Sequence, residues 1–199
     1  MLKRRFILAI AAITVALPLS FRPVHAATDA SAFVQLNGEK ILNLAPKAVN
    51  DADARQQLLT LVNQVLDVNG IARFALGPYT RQATPQQMRA YLQVFHQVIS
   101  NGVTARLAAY AQARFTMGRE IPEGDDTLVE TTIRRPGSPP ANINWLIGSA
   151  HGGMRILDVV AEGTSLRTTE RGDYTSYLQS HGGSLDALIA ALKHQAGEG

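Results

Sequence analysis

Residues 128–161 contain three consecutive segments in which apolar and polar side chains alternate, and short turns separate them. Alternation with a period of two is typical of a half-buried β-strand. The turn at His151-Gly152-Gly153 is short enough for a tight hairpin. Strands joined in this way pair antiparallel, because a parallel crossover needs a dozen or more residues. The pattern therefore predicts an antiparallel sheet, to which residues 114–121 add a candidate fourth strand.

One side of these strands collects the large apolar side chains. Such a face belongs against other apolar elements, either in a closed core or around an apolar ligand. Alternation alone leaves both interpretations open. The residues that we expect on the inward face are Val129, Ile133, Trp145, Ile147, Ile156 and Val160.

Helical patterns lie before and after the strands. Apolar residues recur at helical spacing in residues 33–44 and 58–66. Thr84-Pro85 with Gln87 forms a capping box, which predicts a helix from there to about residue 110. Two more amphipathic segments follow the last strand and are separated by Gly182-Gly183. Helices, then a run of strands, then helices predict an α+β fold: a curved antiparallel sheet of about four strands packed against several helices.

The first 26 residues have the plan of a secretory signal peptide. Lys3, Arg4 and Arg5 precede a mostly apolar run over residues 6–19, and Val24-His25-Ala26 offers a cleavage site. We expect residues 1–26 to be removed and residues 27–199 to form a single domain. Four of the 19 basic residues and none of the 16 acidic residues lie in residues 1–26. The remainder carries 15 basic and 16 acidic side chains, a net charge of −1, which argues against nucleic acid binding.

The chain contains no cysteine. Disulfides and thiolate metal sites are therefore excluded. We also do not expect a lipid-anchored form, because the lipid is attached to a cysteine. Together with the secretory signal, this composition predicts a protein of the bacterial periplasm.

The sequence carries no recognisable catalytic motif. None of the histidines His96, His151, His181 and His194 has the spacing of a metal site, and we expect no cofactor or metal. Asp158 is the one notable acid, because it lies inside an apolar strand where a carboxylate needs partners. It is either a structural carboxylate or the acid–base group of a small enzyme.

Two stretches carry a family resemblance. The first stretch is residues 156–193. Its predicted strand contains Asp158-Val159, the chain breaks at Glu162-Gly163, and Ser165-Leu166 follow. The helical segments after them contain Gly183, Asp186, Leu188, Ile189 and Leu192. Upstream stand Asp67, Ile71, Ala72, Ala75, Leu76 and Gly77. This pattern resembles the MlaC-like (toluene-tolerance) family of periplasmic phospholipid-binding proteins, over roughly residues 32–193. The chain departs from the family pattern at Leu66, Val68 and Thr80, and again at residues 102–104.

The resemblance implies a cystatin/NTF2-like curved sheet that encloses an apolar cavity for phospholipid acyl chains. It implies a periplasmic phospholipid carrier that shuttles lipid between the outer and inner membranes and maintains outer-membrane asymmetry. The implied partners are an inner-membrane MCE-domain/ABC transporter complex and an outer-membrane lipoprotein complex, and we expect a monomer. Three alternatives stay open: a hopanoid-associated lipid carrier, an NTF2-like enzyme that uses Asp158, and a periplasmic adaptor without a ligand.

The expected site has two parts. The first holds acyl chains and consists of the six inward-facing sheet residues together with Tyr79 and Phe95. The second is a cationic rim for the headgroup and the membrane partner, because guanidinium groups complement phosphate. The rim candidates are Arg81, which precedes the Thr84 cap, and Arg134 and Arg135, which end a predicted strand.

Overall fold

The structure is a computed structural model that describes residues 25–110 and 112–197. Six α-helices and five β-strands follow one another in an α+β arrangement, which confirms the predicted fold class. The predicted signal peptide lies outside the described residues except for His25 and Ala26, which begin the first helix. The elements are α1 His25–Ala48, α2 Ala52–Val65, α3 Val68–Leu76, a 3₁₀ helix Gly77–Arg81, α4 Pro85–Tyr110, β1 Arg114–Glu123, β2 Asp126–Arg134, β3 Ala141–Ala150, β4 Gly153–Ala161, β5 Thr164–Ser165, α5 Leu166–Ser180 and α6 Leu185–Ala196.

The five strands form one antiparallel sheet in sequence order, so every neighbour in the chain is also a neighbour in space. Two-residue turns connect β1 to β2 and β3 to β4. The second turn contains His151 with φ 51° and Gly152 with φ 78°. Positive φ at both positions is the geometry that matches the twist of a two-residue hairpin. The fifth strand is only two residues long and leads directly into α5.

An irregularity in β4 changes which of its side chains face inward. The pairing register shifts between Leu146 and Ile147, where Ile147 lies opposite Ile156 but Leu146 lies opposite Asp158. Trp145 then lies opposite Val159, and these two side chains share a face. Val160 pairs with Asn144 on the other face. The prediction that Val160 faces inward is therefore wrong, because strict alternation ignores the extra residue in the strand.

Helices α1 and α2 cover the inward face of the sheet. Ala30 and Val34 of α1 and Val65 of α2 are buried against this face. The C-terminal part of α1 packs against α2 through a second apolar cluster, which includes Ala45, Ala48, Ala54 and Leu58. Asp51 caps α2 by accepting hydrogen bonds from Asp53 N and Ala54 N. The two helices thus form a hairpin that lies over the sheet.

The other four helices form a separate apolar core. Tyr91 and Phe95 of α4 lie at its centre beside Tyr174 of α5, with ring centroids 5.9–6.3 Å apart. Tyr91 is completely buried and donates a hydrogen bond to Ala72 O in α3 at 2.8 Å. The capping box predicted at the start of α4 is present, since Thr84 N donates to Gln87 Oε1 and Gln87 N donates to Thr84 Oγ1. We call this unit, α3 to α6 with the 3₁₀ helix, the helical bundle.

The bundle is joined to the sheet at β4. Leu66, between α2 and α3, forms a parallel bridge to Ile156, and Asp67 N donates to Ile156 O at 2.9 Å. Asp67 also caps α3 by accepting from Gly70 N, and its carboxylate lies 3.3 Å from Nε2 of His151. Within the described part of the chain, no helix is long and apolar enough to cross a membrane.

Candidate functional site

The inward face of the sheet brings together most of the residues that the sequence suggested for acyl chains. Val129, Ile147 and Ile156 are buried in one cluster, and Trp145 packs against them with part of its side chain exposed. Val159 occupies the place that was predicted for Val160. Ile133 lies on the same face nearer the end of the sheet, opposite Phe115 of β1 and Ala141 of β3. This surface, which we call the inner face, is mainly apolar and is covered by α1 and α2.

A small polar relay crosses the inner face. The indole Nε1 of Trp145 donates to Thr131 Oγ1 at 2.9 Å, and Thr131 Oγ1 in turn donates to Ile143 O at 2.9 Å. Thr131 is only 3% exposed, so its hydroxyl depends on these two partners. The relay restricts the orientation of the Trp145 ring, because its Nε1 is tied to β2 and Thr131 is in turn tied to β3. Sequence analysis missed Thr131 because a threonine in a strand is usually read as a β-former rather than as a buried hydrogen-bonding group.

Tyr79 and Phe95 lie elsewhere. Phe95 is completely buried at the centre of the helical bundle, and Tyr79 packs against the same bundle from the 3₁₀ helix. The structure therefore does not bring these two residues together with the six sheet residues. Helical periodicity indicates that Phe95 is buried, but it does not indicate which of two cores buries it.

The bundle core contains ionisable groups whose titration is strongly perturbed. Burial raises the pKa of Tyr91 and of Tyr174 well above the ordinary phenol range, and the nearby Glu170 carboxyl adds to both shifts. Burial likewise raises the pKa of Glu170. Both phenols therefore stay protonated at any physiological pH and act as fixed hydrogen-bond donors in the core.

Asp158 is a buried carboxylate whose two oxygens are both engaged. Oδ1 accepts from Val159 N at 2.8 Å and from Arg167 N at 3.1 Å. Oδ2 accepts from Ser165 Oγ at 2.6 Å and lies 3.5 Å from Nε of Arg167. The group is 4% exposed and fastens the start of α5 to β4. These contacts are those of a structural carboxylate.

The three rim candidates fall on two parts of the molecule. Arg81 is exposed at the end of the 3₁₀ helix, on the helical bundle. Arg134 is exposed at the last position of β2, opposite Arg114 of β1, and Arg135 follows it. Arg134 and Arg114 therefore bring two guanidinium groups to one corner of the sheet, and Arg135 is next to them in the chain.

A further pair of arginines was missed by sequence analysis. The guanidinium carbons of Arg167 and Arg171 lie 4.6 and 5.0 Å from the ring centroid of Phe74. Such distances are typical of cation–π contacts. The four-residue spacing of these arginines indicates that they share one face of a helix. That this face lies against Phe74 of α3 follows only from the tertiary fold. These contacts tie α5 to α3.

Two surface grooves adjoin these elements. One, of about 520 Å³, lies between α4 and α6 and is lined by residues that include Gln86, Gln87, Asp186 and Lys193. The other, of about 690 Å³, lies between α1 and the beginning of β1. Its apolar lining consists of Leu42, Ala113, Phe115 and Met117, and Met117 also packs against the inner-face cluster. The second groove is therefore continuous with the inner face.

The described residues contain no group of three or more histidine, aspartate or glutamate side chains placed to hold a metal ion. His96 instead lies within hydrogen-bonding distance of the side-chain oxygens of Asn63 and Asn69, and partial burial lowers its pKa. The site that the structure offers is thus an apolar surface rather than a cluster of reactive groups.

The fold and the sequence were compared with those of known proteins. One solved structure with a similar fold is that of a phospholipid-binding protein from Ralstonia solanacearum, which was determined in complex with a phospholipid. The two chains share 20% sequence identity and superpose with a TM-score of 0.72, over 85% of this chain and 97% of the other. The family model described as "MlaC protein" matches residues 35–194 of this chain. Because that match spans most of the 199 residues, the chain belongs to the MlaC protein family.

Proposed function

We propose that this protein is a phospholipid carrier and that the inner face of the sheet holds the acyl chains. The observation that carries the proposal is the family match over residues 35–194, together with a fold shared with a protein that was solved with phospholipid bound. The inner face suits the task, because Val129, Trp145, Ile147 and Ile156 form a continuous apolar surface. Each CH₂ group taken out of water contributes roughly 0.8 kcal/mol, so a two-chain lipid needs apolar area more than polar groups.

The wider role follows from the same family membership. We infer that the protein works in the periplasm and exchanges lipid with an inner-membrane MCE-domain/ABC transporter and an outer-membrane lipoprotein complex. The signal-like pattern of residues 1–26 supports export across the inner membrane. Within this role the carrier helps to maintain outer-membrane lipid asymmetry, and a hopanoid is the alternative cargo.

Binding and transport are favoured over catalysis. The buried carboxylate that motivated an enzyme hypothesis, Asp158, already accepts from Ser165 Oγ and from two backbone N–H groups. A general acid or base needs a position from which it reaches a substrate proton. The inner face, by contrast, is apolar around its Trp145–Thr131 relay.

A vesicle assay tests the proposal. Donor vesicles carry a fluorescent phospholipid, acceptor vesicles carry none, and the purified protein is added at increasing concentration. We expect the transfer rate to rise with protein concentration. Val159→Asp places a charge at a partly buried inner-face position and should abolish transfer, whereas Leu36→Asp changes a side chain that is 54% exposed and should not. Circular dichroism confirms that both variants fold. Equal transfer by the two folded variants would contradict the proposed site.

A further inference from the structure

The inner face is covered by α1 and by Val65 of α2. Val129, Ile147 and Ile156 are almost completely buried, and Ala30 and Val34 of α1 lie against them in the same cluster. Protein interiors are packed as densely as organic crystals, so acyl chains do not enter such a cluster while its cover stays in place. If these side chains hold lipid, an element that covers them has to move.

The contacts of α1 with the sheet combine small and larger apolar residues, since Ala30 and Val34 are buried in the inner-face cluster and Phe33 packs against it. Gly38 lies against the ring of Phe115, and a Cβ atom at Gly38 would lie only 2.9 Å from Cζ of that ring. Ser31 N donates to Glu120 Oε1 of β1 at 3.0 Å. When this part of α1 leaves the sheet, the apolar surface that it covered is exposed, and acyl chains that take its place offset this cost by covering the same surface.

The opposite edge of the sheet is held more firmly. There the helical bundle is joined to β4 by the backbone hydrogen bond from Asp67 N to Ile156 O. The buried carboxylate of Asp158 adds hydrogen bonds to Ser165 and to Arg167 N. Separation at β4 would leave these buried polar groups without partners, which is costly. The β1 edge is thus the easier place to open.

A groove already marks the junction between α1 and β1. Its apolar lining comes from Leu42 of α1, from Phe115 and Met117 of β1, and from Ala113, which precedes β1. Because β1 is the edge strand, no further strand of residues 25–110 or 112–197 closes this side of the sheet. Met117 also packs against the inner-face cluster, so the groove leads directly to the buried apolar surface.

The other end of α1 is anchored. Ala45 and Ala48 are buried against Ala54 and Leu58 of α2. Ile41 and Leu44 also pack against this cluster. A helix that is anchored in this way can still move in its N-terminal part, up to about Gly38.

We propose that α1 is a lid over the inner face and that acyl chains enter through the groove between α1 and β1. This inference rests on the proposed function and adds to it the route of entry and the moving element. The part of α1 that contains Ala30, Val34 and Gly38 lifts from the sheet, while the Ala45–Ala48 end stays on α2.

Reversible cross-linking tests the lid. The chain contains no cysteine, so Gln35→Cys with Thr116→Cys creates one pair of thiols, on opposite walls of the groove. Both positions are exposed. A short bifunctional methanethiosulfonate reagent links the pair, and dithiothreitol releases it. The matched control is Gln86→Cys with Lys193→Cys, which spans the groove between α4 and α6.

The readout is uptake of fluorescent phosphatidylethanolamine from vesicles of phosphatidylethanolamine and phosphatidylglycerol. We expect the link across the α1–β1 groove to lower the uptake rate by about ten-fold or more, because entry is gated by the lid. Reduction should restore the rate, and the link between α4 and α6 should leave it unchanged.

Two other results would overturn the lid. If the protein linked at Gln35 and Thr116 takes up lipid as fast as its reduced form, entry does not require α1 to move. If both linked pairs slow uptake equally, the effect is not specific to α1. A reduced protein that takes up no lipid would instead overturn the proposed function, and the lid with it.

Discussion

The hydroxyl of Ser165 donates to the carboxylate of Asp158 at 2.6 Å, and the same hydroxyl accepts from Thr168 N at 3.1 Å. One side chain therefore caps α5 and fastens that helix to β4. Arg167 N donates to the other carboxylate oxygen of Asp158. The junction between sheet and helical bundle thus depends on a buried acid rather than on apolar contact alone.

Asp158→Ala should lower the free energy of unfolding by about 2–4 kcal/mol, because it leaves buried donors without an acceptor. Chemical denaturation measures this loss. Lipid transfer per folded molecule should be unchanged, since Asp158 lies on the face of β4 opposite Val159. Loss of transfer with unchanged stability would reverse this assignment and make the carboxylate functional.

Thr131→Val should lower the free energy of unfolding by about 1–2 kcal/mol, because Trp145 Nε1 loses its acceptor in a nearly dry site. Trp145→Phe removes the donor, and the double variant should lose less than the sum of the two single losses. Trp145 is the single tryptophan of the chain, so its emission also reports the orientation of the ring. Strictly additive losses would show that the relay contributes nothing to stability.

Gly77→Ala should destabilise the protein by about 1–3 kcal/mol, because φ 56° and ψ −130° form a backbone conformation that residues with a Cβ rarely adopt. The added Cβ would also lie 3.2 Å from Nε of Arg171. Gly172→Ala is the matched control. It lies within α5 with no neighbouring atom within 4 Å of its added Cβ, so the same substitution should stabilise by about 0.5–1 kcal/mol. Melting temperatures that shift in the same direction would contradict this contrast.

Arg134→Glu combined with Arg135→Glu should slow lipid transfer to the proposed MCE-domain/ABC transporter partner by about two- to ten-fold at low salt, with less effect at high salt. The reason is that the positive charges at this corner of the sheet, including that of Arg114, affect association with the partner more than they affect acyl-chain binding. The amount of bound lipid should stay nearly the same. Arg89→Glu with Lys193→Glu reverses two exposed charges on the helical bundle and serves as the control. Equal transfer by both double variants would remove Arg134 and Arg135 from the site.

The sequence was informative where a pattern is local. The hairpin at His151-Gly152, the capping box at Thr84 and the alternation of β2 all depend on neighbouring residues, and the structure contains each of them. Family resemblance added the link between β4 and α5, whose Asp158 and Ser165 form the observed contact.

The sequence was less informative where tertiary contacts decide. Val159 replaces Val160 on the inner face because β4 contains one extra residue between Ile156 and Asp158, which shifts the pairing register. Phe95 is buried as its helical period predicts, but it lies in the helical bundle rather than beside the sheet. The position of α1 over the sheet also depends on a contact between Gly38 and Phe115, which are far apart in the chain.

Native mass spectrometry of the protein purified from a bacterial periplasm tests the central claim most directly. The account predicts a second charge-state series, heavier than the polypeptide by the mass of one phospholipid, and phospholipid in an organic extract of the same sample. An added mass equal to that of a hopanoid would show that the protein is a lipid carrier whose cargo is a hopanoid rather than a phospholipid. A polypeptide that carries no lipid as purified, and gains none after incubation with phospholipid vesicles, would contradict the account.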